Sequence, residues 1–245
     1  MQSTSSTYKQ LLAAEHDTRY RVLIYTGTNS YDTYGMDYIT SLKTSHQLFE
    51  GGNPNVGNAI AGQIDLSLRR FISEPPKLAK IVIQIQLYSG STSSEWLTTG
   101  TFFIDTRDRD EYTGEITIHG YDAMLKGEQD IYKDGTYYET WPKSDIEAVN
   151  FIASDYLGCS VDPRTTELLT RNYQIEFPGY GDNAITARGL LQYIAGINGG
   201  NFIITPTGAL RFVQLNHLPP EPGVLIDENG TAIVFGGYRI IVEDL

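Results

Sequence analysis

The sequence predicts an α+β fold that is mainly β. A β-barrel-type domain with a short N-terminal helix is expected over residues 1–128, followed by a smaller α+β domain over residues 140–245. Three observations carry this. The first half holds apolar–polar alternating runs such as "QIDLSL" and "KIVIQIQL", separated by turn residues. After about residue 140 the apolar period switches from two to that of a helix, with capping residues in place. The chain also has 17 tyrosines against two tryptophans, with Thr, Ile and Val common, a composition that favours strands.

Taken in order, residues 6–15 form a short helix carrying Leu11 and Leu12, and "RYRVLIYT" (19–26) is a strand. A turn rich in Tyr, Gly, Asn and Asp leads to a strand at "MDYITSLKTS" (36–45). The next strand covers 60–69, where Ile60, Ile64, Leu66 and Leu68 alternate with Gln63, Asp65, Ser67 and Arg69. "SEPPKLAK" breaks the pattern with its prolines. "KIVIQIQLY" (80–88) places Ile81, Ile83, Ile85 and Leu87 on one face, and "GTFFIDT" (100–106) and "GEITIHGYD" (114–122) complete the set. Five or six strands so spaced argue for a sandwich or small barrel.

The second half opens on "WPKSDIEAVNFIASDYLG". Ser144 and Glu147 have capping-box spacing, Ile146, Val149, Ile152, Ala153, Tyr156 and Leu157 share a helical face, and Gly158 supplies a left-handed stop. "NYQIEFPG" is a short strand. In "TARGLLQYIAGINGGNFIITPTGALRFVQL" the order is helix, glycine stop, strand, Pro-Thr-Gly turn, strand. Thr186 is the N-cap, and Ala187, Leu190, Leu191, Ile194 and Ile197 form the buried stripe, with Gly189 a weak point inside the helix. Asn229-Gly230 marks a hairpin turn, and "GGYRIIVEDL" still has the texture of a strand. The two domains are expected to join near 126–142.

The stretch "FEGGNPNVGNAIAGQIDLSLR" (49–69) has phosphate-loop glycine spacing from Gly52 to Gly57. A phosphate loop needs Lys and then Ser or Thr after its second glycine, and a helix behind them. Asn58 and Ala59 stand there, with an alternating strand behind, so the stretch is a flexible lead into a strand.

Bulk composition narrows the function classes. With 18 basic and 30 acidic residues the formal net charge is −12, which disfavours stable binding to phosphate backbones. Such a surface suits a wall that DNA slides past without sticking. Cys159 is the single cysteine, so no intrachain disulfide or cysteine metal cluster forms, and it is expected to be a small packed residue. No apolar run approaches the length of a membrane span. "MQSTSSTYKQLLAAEH" lacks the pattern of a secretory signal, so synthesis in a cytoplasm is expected.

The densest polar cluster is "IDTRDRDEYTGE" (104–115). Asp105, Asp108, Asp110 and Glu111 could gather around Ca²⁺ or act as paired carboxylates. Interleaved Arg107 and Arg109, and the missing glycine of an EF-hand, favour a solvated hairpin tip. His16, His46, His119 and His217 show no zinc-helix spacing. His119 is expected to be a hydrogen-bonded residue of a strand, and Asp162-Pro163-Arg164 a turn after the first capped helix. The sequence therefore predicts no catalytic residue, no metal ligand, no cofactor-binding residue and no cofactor.

The order of "SLKTSHQLFEGGNPNVGNAIAGQIDLSL", "WLTTGTFFIDTRDRDEYTGEITIHGYDAML" and "TARGLLQYIAGINGGNFIITPTGALRFVQL" resembles the baseplate-hub or tail-associated structural family of long-tailed phages and prophages. The resemblance covers most of residues 10–215. Its most specific parts are "GTFFIDTR…ITIHGYDAM" and the helix-Gly-Gly-strand-turn-strand unit at 186–215. It implies a homotrimer in which each protomer gives two related barrel-type domains, so that six barrels ring the tail axis. It implies no enzymatic activity. The implied partners are a distal tail or tube protein, the tape measure, and tip spike or fibre proteins, with no specific nucleic-acid binding. Related chains often run longer and carry a spike, a peptidase or a lysin downstream. This chain is expected to be either a short member or the N-terminal part of something larger.

Three functions follow as expectations. The first is a non-enzymatic ring at a tail tip or baseplate hub. The second is a carbohydrate-binding tail module that uses exposed tyrosines and the 105–111 loop with Ca²⁺. The third is a tail-associated cell-wall hydrolase that uses acids such as Asp105 and Asp108.

Overall fold

The computed structural model of the chain describes residues 4–49, 54–131, 141–176, 185–215, 234–235 and 238–239. Helix α1 (Ser6–Leu12) is capped by the Ser5 side chain, which accepts the Tyr8 N–H, and it buries Leu11. Strands β1 (Asp17–Tyr25), β2 (Tyr31–Tyr34) and β3 (Ile39–Ser45) follow, then β4 (Asn58–Ile60) and β5 (Gln63–Leu68). After the proline break come β6 (Lys80–Ser89), β7 (Thr92–Ser93), β8 (Leu97–Arg109) and β9 (Ile116–Tyr121).

Seven of these strands make one antiparallel sheet in the order β2-β1-β6-β8-β9-β5-β3, and β7 pairs onto β6. The alternation explains the burial: Ile64, Leu66 and Leu68 are enclosed while Gln63 and Asp65 face solvent. Val22, Ile24 and Tyr34 from one end of the sheet share a core with Ile39 and Leu42 from the other. Ile81, Ile83, Phe102, Ile104 and Ile118 lie between them. The sheet therefore curls round its own apolar face, helped by register shifts at Ile39/Ser41, Ile83/Gln84 and Ile104/Thr106. Among the described residues β2 and β3 remain the two ends of the ladder path, so the expected barrel-type curl is present without a closing ladder.

Two corrections concern the first half. The strand expected over 60–69 is interrupted at Ala61-Gly62, and Asn58–Ile60 leaves the large sheet altogether. The stretch expected to be a turn before residue 36 contains β2, whose Tyr31–Tyr34 pair with Tyr25–Val22.

The second core is built on helices. A 3-10 helix (Ala123–Glu128), capped by Asp122, leads into it. Strand β10 (Lys143–Ser144) precedes α2 (Asp145–Phe151), which carries the capping box between Ser144 and Glu147. The helix widens into a π turn over Ile152–Leu157 and stops at Gly158 in the left-handed conformation. Widening shifts the phase of the stripe: Val149, Ile152, Ala153 and Leu157 are fully buried, while Ile146 and Tyr156 are only partly so. Asp162-Pro163-Arg164 is not a bare turn. Asp162 caps a further helix, α3 (Pro163–Leu168). Strand β11 (Gln174–Ile175) pairs β10.

Helix α4 (Ala187–Asn198) starts at the Thr186 cap and ends at left-handed Gly199. It buries Ala187, Leu190, Leu191, Ile194, Ala195 and Asn198, while Ile197 is only half-buried. Strands β12 (Gly200–Ile204) and β13 (Leu210–Gln214) form an antiparallel hairpin, and β4 adds to β12 in parallel. A short ladder of β14 (Val234–Phe235) and β15 (Tyr238–Arg239) lies near the C-terminal end. Asn229-Gly230 and His217 fall outside the described residues, as do Gly51 and Gly52.

Candidate functional site

The glycine- and asparagine-rich segment is the natural start, because it is where the large sheet and the second core are tied together. Asn201 on β12 is fully buried. Its side-chain oxygen accepts the Asn58 N–H at 2.9 Å, and its Nδ2 donates to the Leu48 and Asn55 carbonyls at 2.7 and 2.8 Å. One amide thus satisfies three backbone groups. Gly57 donates to the Gly200 carbonyl at 3.0 Å. Among the described residues, 54–60 act as a strap, and the N–H groups of Gly57 and Asn58 are spent on the second core rather than left for an anion.

Beyond β4 the chain returns to the large sheet through Gly62. The Gly62 N–H donates to Asp122 Oδ2 at 2.6 Å, and the Asp122 N–H donates back to the Gly62 carbonyl at 3.0 Å. Asp122 Oδ1 accepts the Met124 N–H at 2.9 Å. A Cβ at position 62 would sit 2.9 Å from Asp122 Oδ2 and 2.8 Å from His46 Nδ1, so a side chain here would displace the Asp122 carboxyl or the His46 ring. Burial pushes the Asp122 carboxyl up to about 7, against the pull of the two N–H donors and the charge of Arg188. Arg188 of α4 donates from Nε to the Ala59 carbonyl at 2.8 Å and from Nη1 to Glu128 at 2.6 Å. Thr101 of β8 donates to the Pro206 carbonyl at 3.2 Å across the same seam. With both carboxylate oxygens of Asp122 held by backbone donors, the arrangement acts as a tether between two sheets.

The residues singled out in the sequence lie elsewhere. Asp105, Asp108, Asp110 and Glu111 sit on the exposed end of β8 and its turn into β9. Asp110 Oδ1 accepts the N–H groups of Tyr112 and Thr113, both at 2.8 Å, and Asp108 accepts that of Arg109. These hydrogen bonds with backbone donors hold the Asp110 carboxyl below its ordinary range. Among the described residues no group of three His, Cys, Asp or Glu side chains is gathered as metal ligands would be. His119 Nδ1 lies 2.8 Å from Asp65 Oδ1 on the neighbouring strand. His16 pairs with the Ala14 carbonyl, and partial desolvation lowers the pKa of His46. Cys159 packs against the second core, and burial pushes its thiol up to about 11.

Asn201, Asp122 and Arg188 are not legible in the sequence as functional residues. Asn201 is the polar residue opening the otherwise apolar run "GGNFII", which is the kind of signal a buried tether leaves. The outer surface carries Tyr20, Tyr31, Met36, Ile72, Leu78 and Tyr112, all exposed. A groove of about 450 Å³ between the ends of the sheet is lined by Tyr20, Met36, Ile39, Leu42 and Ile83.

No protein-family model matches the chain, and no curated protein does. Two tail proteins are among its structural neighbours. The 43 kDa tail protein of prophage MuSo2 from Shewanella oneidensis superposes with a TM-score of 0.52 at 13% identity, over 86% of this chain and 59% of that one. A tail protein from Neisseria meningitidis MC58 gives 0.43 at 13% identity, over 82% of this chain and 52% of that one. The chain thus spans just over half the length of either neighbour, and the fold likeness rests on the first.

Proposed function

We propose that this chain is a structural component of a phage tail, of the baseplate-hub or tail-tip kind. Three copies close into a ring that joins the tail tube to distal tip proteins and lets DNA pass. The fold shared with the prophage MuSo2 tail protein carries the reading. The net charge of −12 supports it, because an acidic wall repels a passing phosphate backbone. Exposed Tyr20, Tyr31 and Met36 offer apolar and aromatic surface for contacts between subunits, which an acidic ring requires to hold together. In this reading the protein is not an enzyme, is made in the host cytoplasm and resides in the virion tail.

The test is the mass of the native assembly, by native mass spectrometry and light scattering across a salt series. A trimer that persists or strengthens as salt rises is expected, since screening relieves repulsion between like-charged copies. A chain that stays monomeric at every concentration and salt, alone and with the adjoining tail protein, overturns the ring. Binding to purified cell wall would point instead to a carbohydrate-binding module, and release of reducing ends or peptides to a hydrolase.

A further inference from the structure

Arg211 lies on the face of the β12–β13 hairpin turned away from the second core. Its strand neighbours Leu210 and Phe212 are fully buried in that core, and Arg211 stands cross-strand from Ile203. Cavities open on either side of it in the seam. One, of about 250 Å³, also contacts His46, Gly62 and Asp122. The other is a cleft of about 640 Å³ whose lining includes Thr99 of the large sheet, Ser160, Asp162, Arg164 and Thr207.

The charges of this cleft do not cancel. Its charged lining consists of Asp162, Arg164 and Arg211, one anion against two cations. Arg164 takes Asp162 for itself, donating from Nε at 2.8 Å and from Nη2 at 2.5 Å. Those hydrogen bonds, with the nearby charge of Arg211, hold the Asp162 carboxyl down at about 2. Arg211 is left without an ion-pair partner among the described residues, and its buried Nε–H meets no acceptor there. A guanidinium with free donors in a fixed fork matches a carboxylate. The hydroxyls of Ser160 and Thr207 can bond the amides of the chain that carries it.

Other anions fit less well. A nucleic acid needs a run of cations, and here two stand on a chain of net charge −12. An acidic sugar gains from an aromatic face, and no aromatic side chain lines the cleft among the described residues. The geometry points to a carboxylate-binding cleft, in which Arg211, flanked by Arg164, Ser160 and Thr207, receives an Asp or Glu side chain from an acidic segment of a neighbouring protein. This goes beyond the ring reading and does not depend on three copies closing.

The test titrates the full chain at low ionic strength with the peptide acetyl-Gly-Asp-Glu-Asp-Gly-amide, reading by NMR the backbone amide resonances of Ser160, Thr207 and residue 211, which every variant retains. A saturable shift is expected, about tenfold weaker for the Asn/Gln version of the peptide, the loss expected for one charge-assisted hydrogen bond. Arg211→Gln should abolish binding and Arg211→Lys should weaken it, since Lys keeps the charge without the fork. Should Arg211→Gln fail to fold, Thr207→Glu on the exposed turn supplies a competing carboxylate and should block the peptide. Equal shifts with both peptides, no shift at all, or undiminished binding by Thr207→Glu overturns the site. Equal or stronger shifts with inorganic phosphate or glucuronate overturn its assignment to an acidic peptide. The native mass is read separately, so failure here is distinguishable from failure of the ring.

Discussion

Asp122 and Gly62 hold each other reciprocally: the carboxylate accepts the Gly62 N–H at 2.6 Å, and the Asp122 N–H donates to the Gly62 carbonyl at 3.0 Å. The pair closes the turn by which the chain re-enters the large sheet after visiting the second.

This pair predicts a pH dependence. The Asp122 carboxyl is raised to about 7 by burial, whereas an unfolded Asp titrates near about 3.9. The folded state therefore keeps a proton that the unfolded state loses. The stabilisation is complete below about pH 4 and is lost as pH rises to about 7. Asp122→Asn cannot ionise, and it leaves one of the two N–H groups facing an amide NH2, at a cost of about 1–3 kcal/mol. Urea unfolding of both proteins across this range should show the wild-type advantage shrinking as pH rises. A constant difference would show that Asp122 does not titrate there.

Asn201→Asp keeps the acceptor for the Asn58 N–H but removes the donor to the Leu48 and Asn55 carbonyls. Two orphaned acceptors and a buried charge should cost about 2–5 kcal/mol. Hydrogen exchange should quicken first at Gly57 and Asn58, while Ile118 in the large sheet stays protected. Uniform loss of protection would mean that the strap has no local stability of its own.

Ile152 is fully buried where α2 widens into the π turn. Ile152→Ala should cost about 2–5 kcal/mol through lost burial and a residual cavity. A melting temperature unchanged within error would sink this placement of the helix.

Changing Asp105, Asp108 and Asp110 together to Asn should preserve the fold, because Asn presents the same Oδ1 to the turn N–H groups of Arg109, Tyr112 and Thr113. Wild type and variant alike should release no reducing ends or peptides from cell wall. Turnover by wild type that the variant loses would refute the non-enzymatic reading.

Local signals carried much of the fold into view. The Ser144–Glu147 capping box, the Thr186 cap and the stops at Gly158 and Gly199 are set by neighbours in sequence, and each is where the spacing places it. The alternation of Ile64, Leu66 and Leu68 likewise follows from one buried face. What stayed hidden is decided by partners far along the chain. Ile60 continues the alternation, yet its strand pairs with β12. Asn201 and Arg188 look like ordinary residues of a strand and a helix until the Asn58 N–H and the Ala59 carbonyl are brought to them. Asp162-Pro163 is read equally well as a turn or as a helix start, because the same side chain serves both.

The β4–β12 pairing also constrains the route to the folded state. Asn58 and Asn201 are 143 positions apart, so their ladder forms only after most of the chain has been gathered. During synthesis β4 waits without its neighbour while β3, β5 and β9 can already associate on either side of it in sequence. A fragment cut before residue 200 would carry an unpaired β4, and one begun after residue 62 would leave β12 with a bare edge ready to accept a strand from another molecule. Expression trials of truncated pieces should therefore retain both Asn58–Ile60 and Gly200–Gln214, or expect strand exchange between copies.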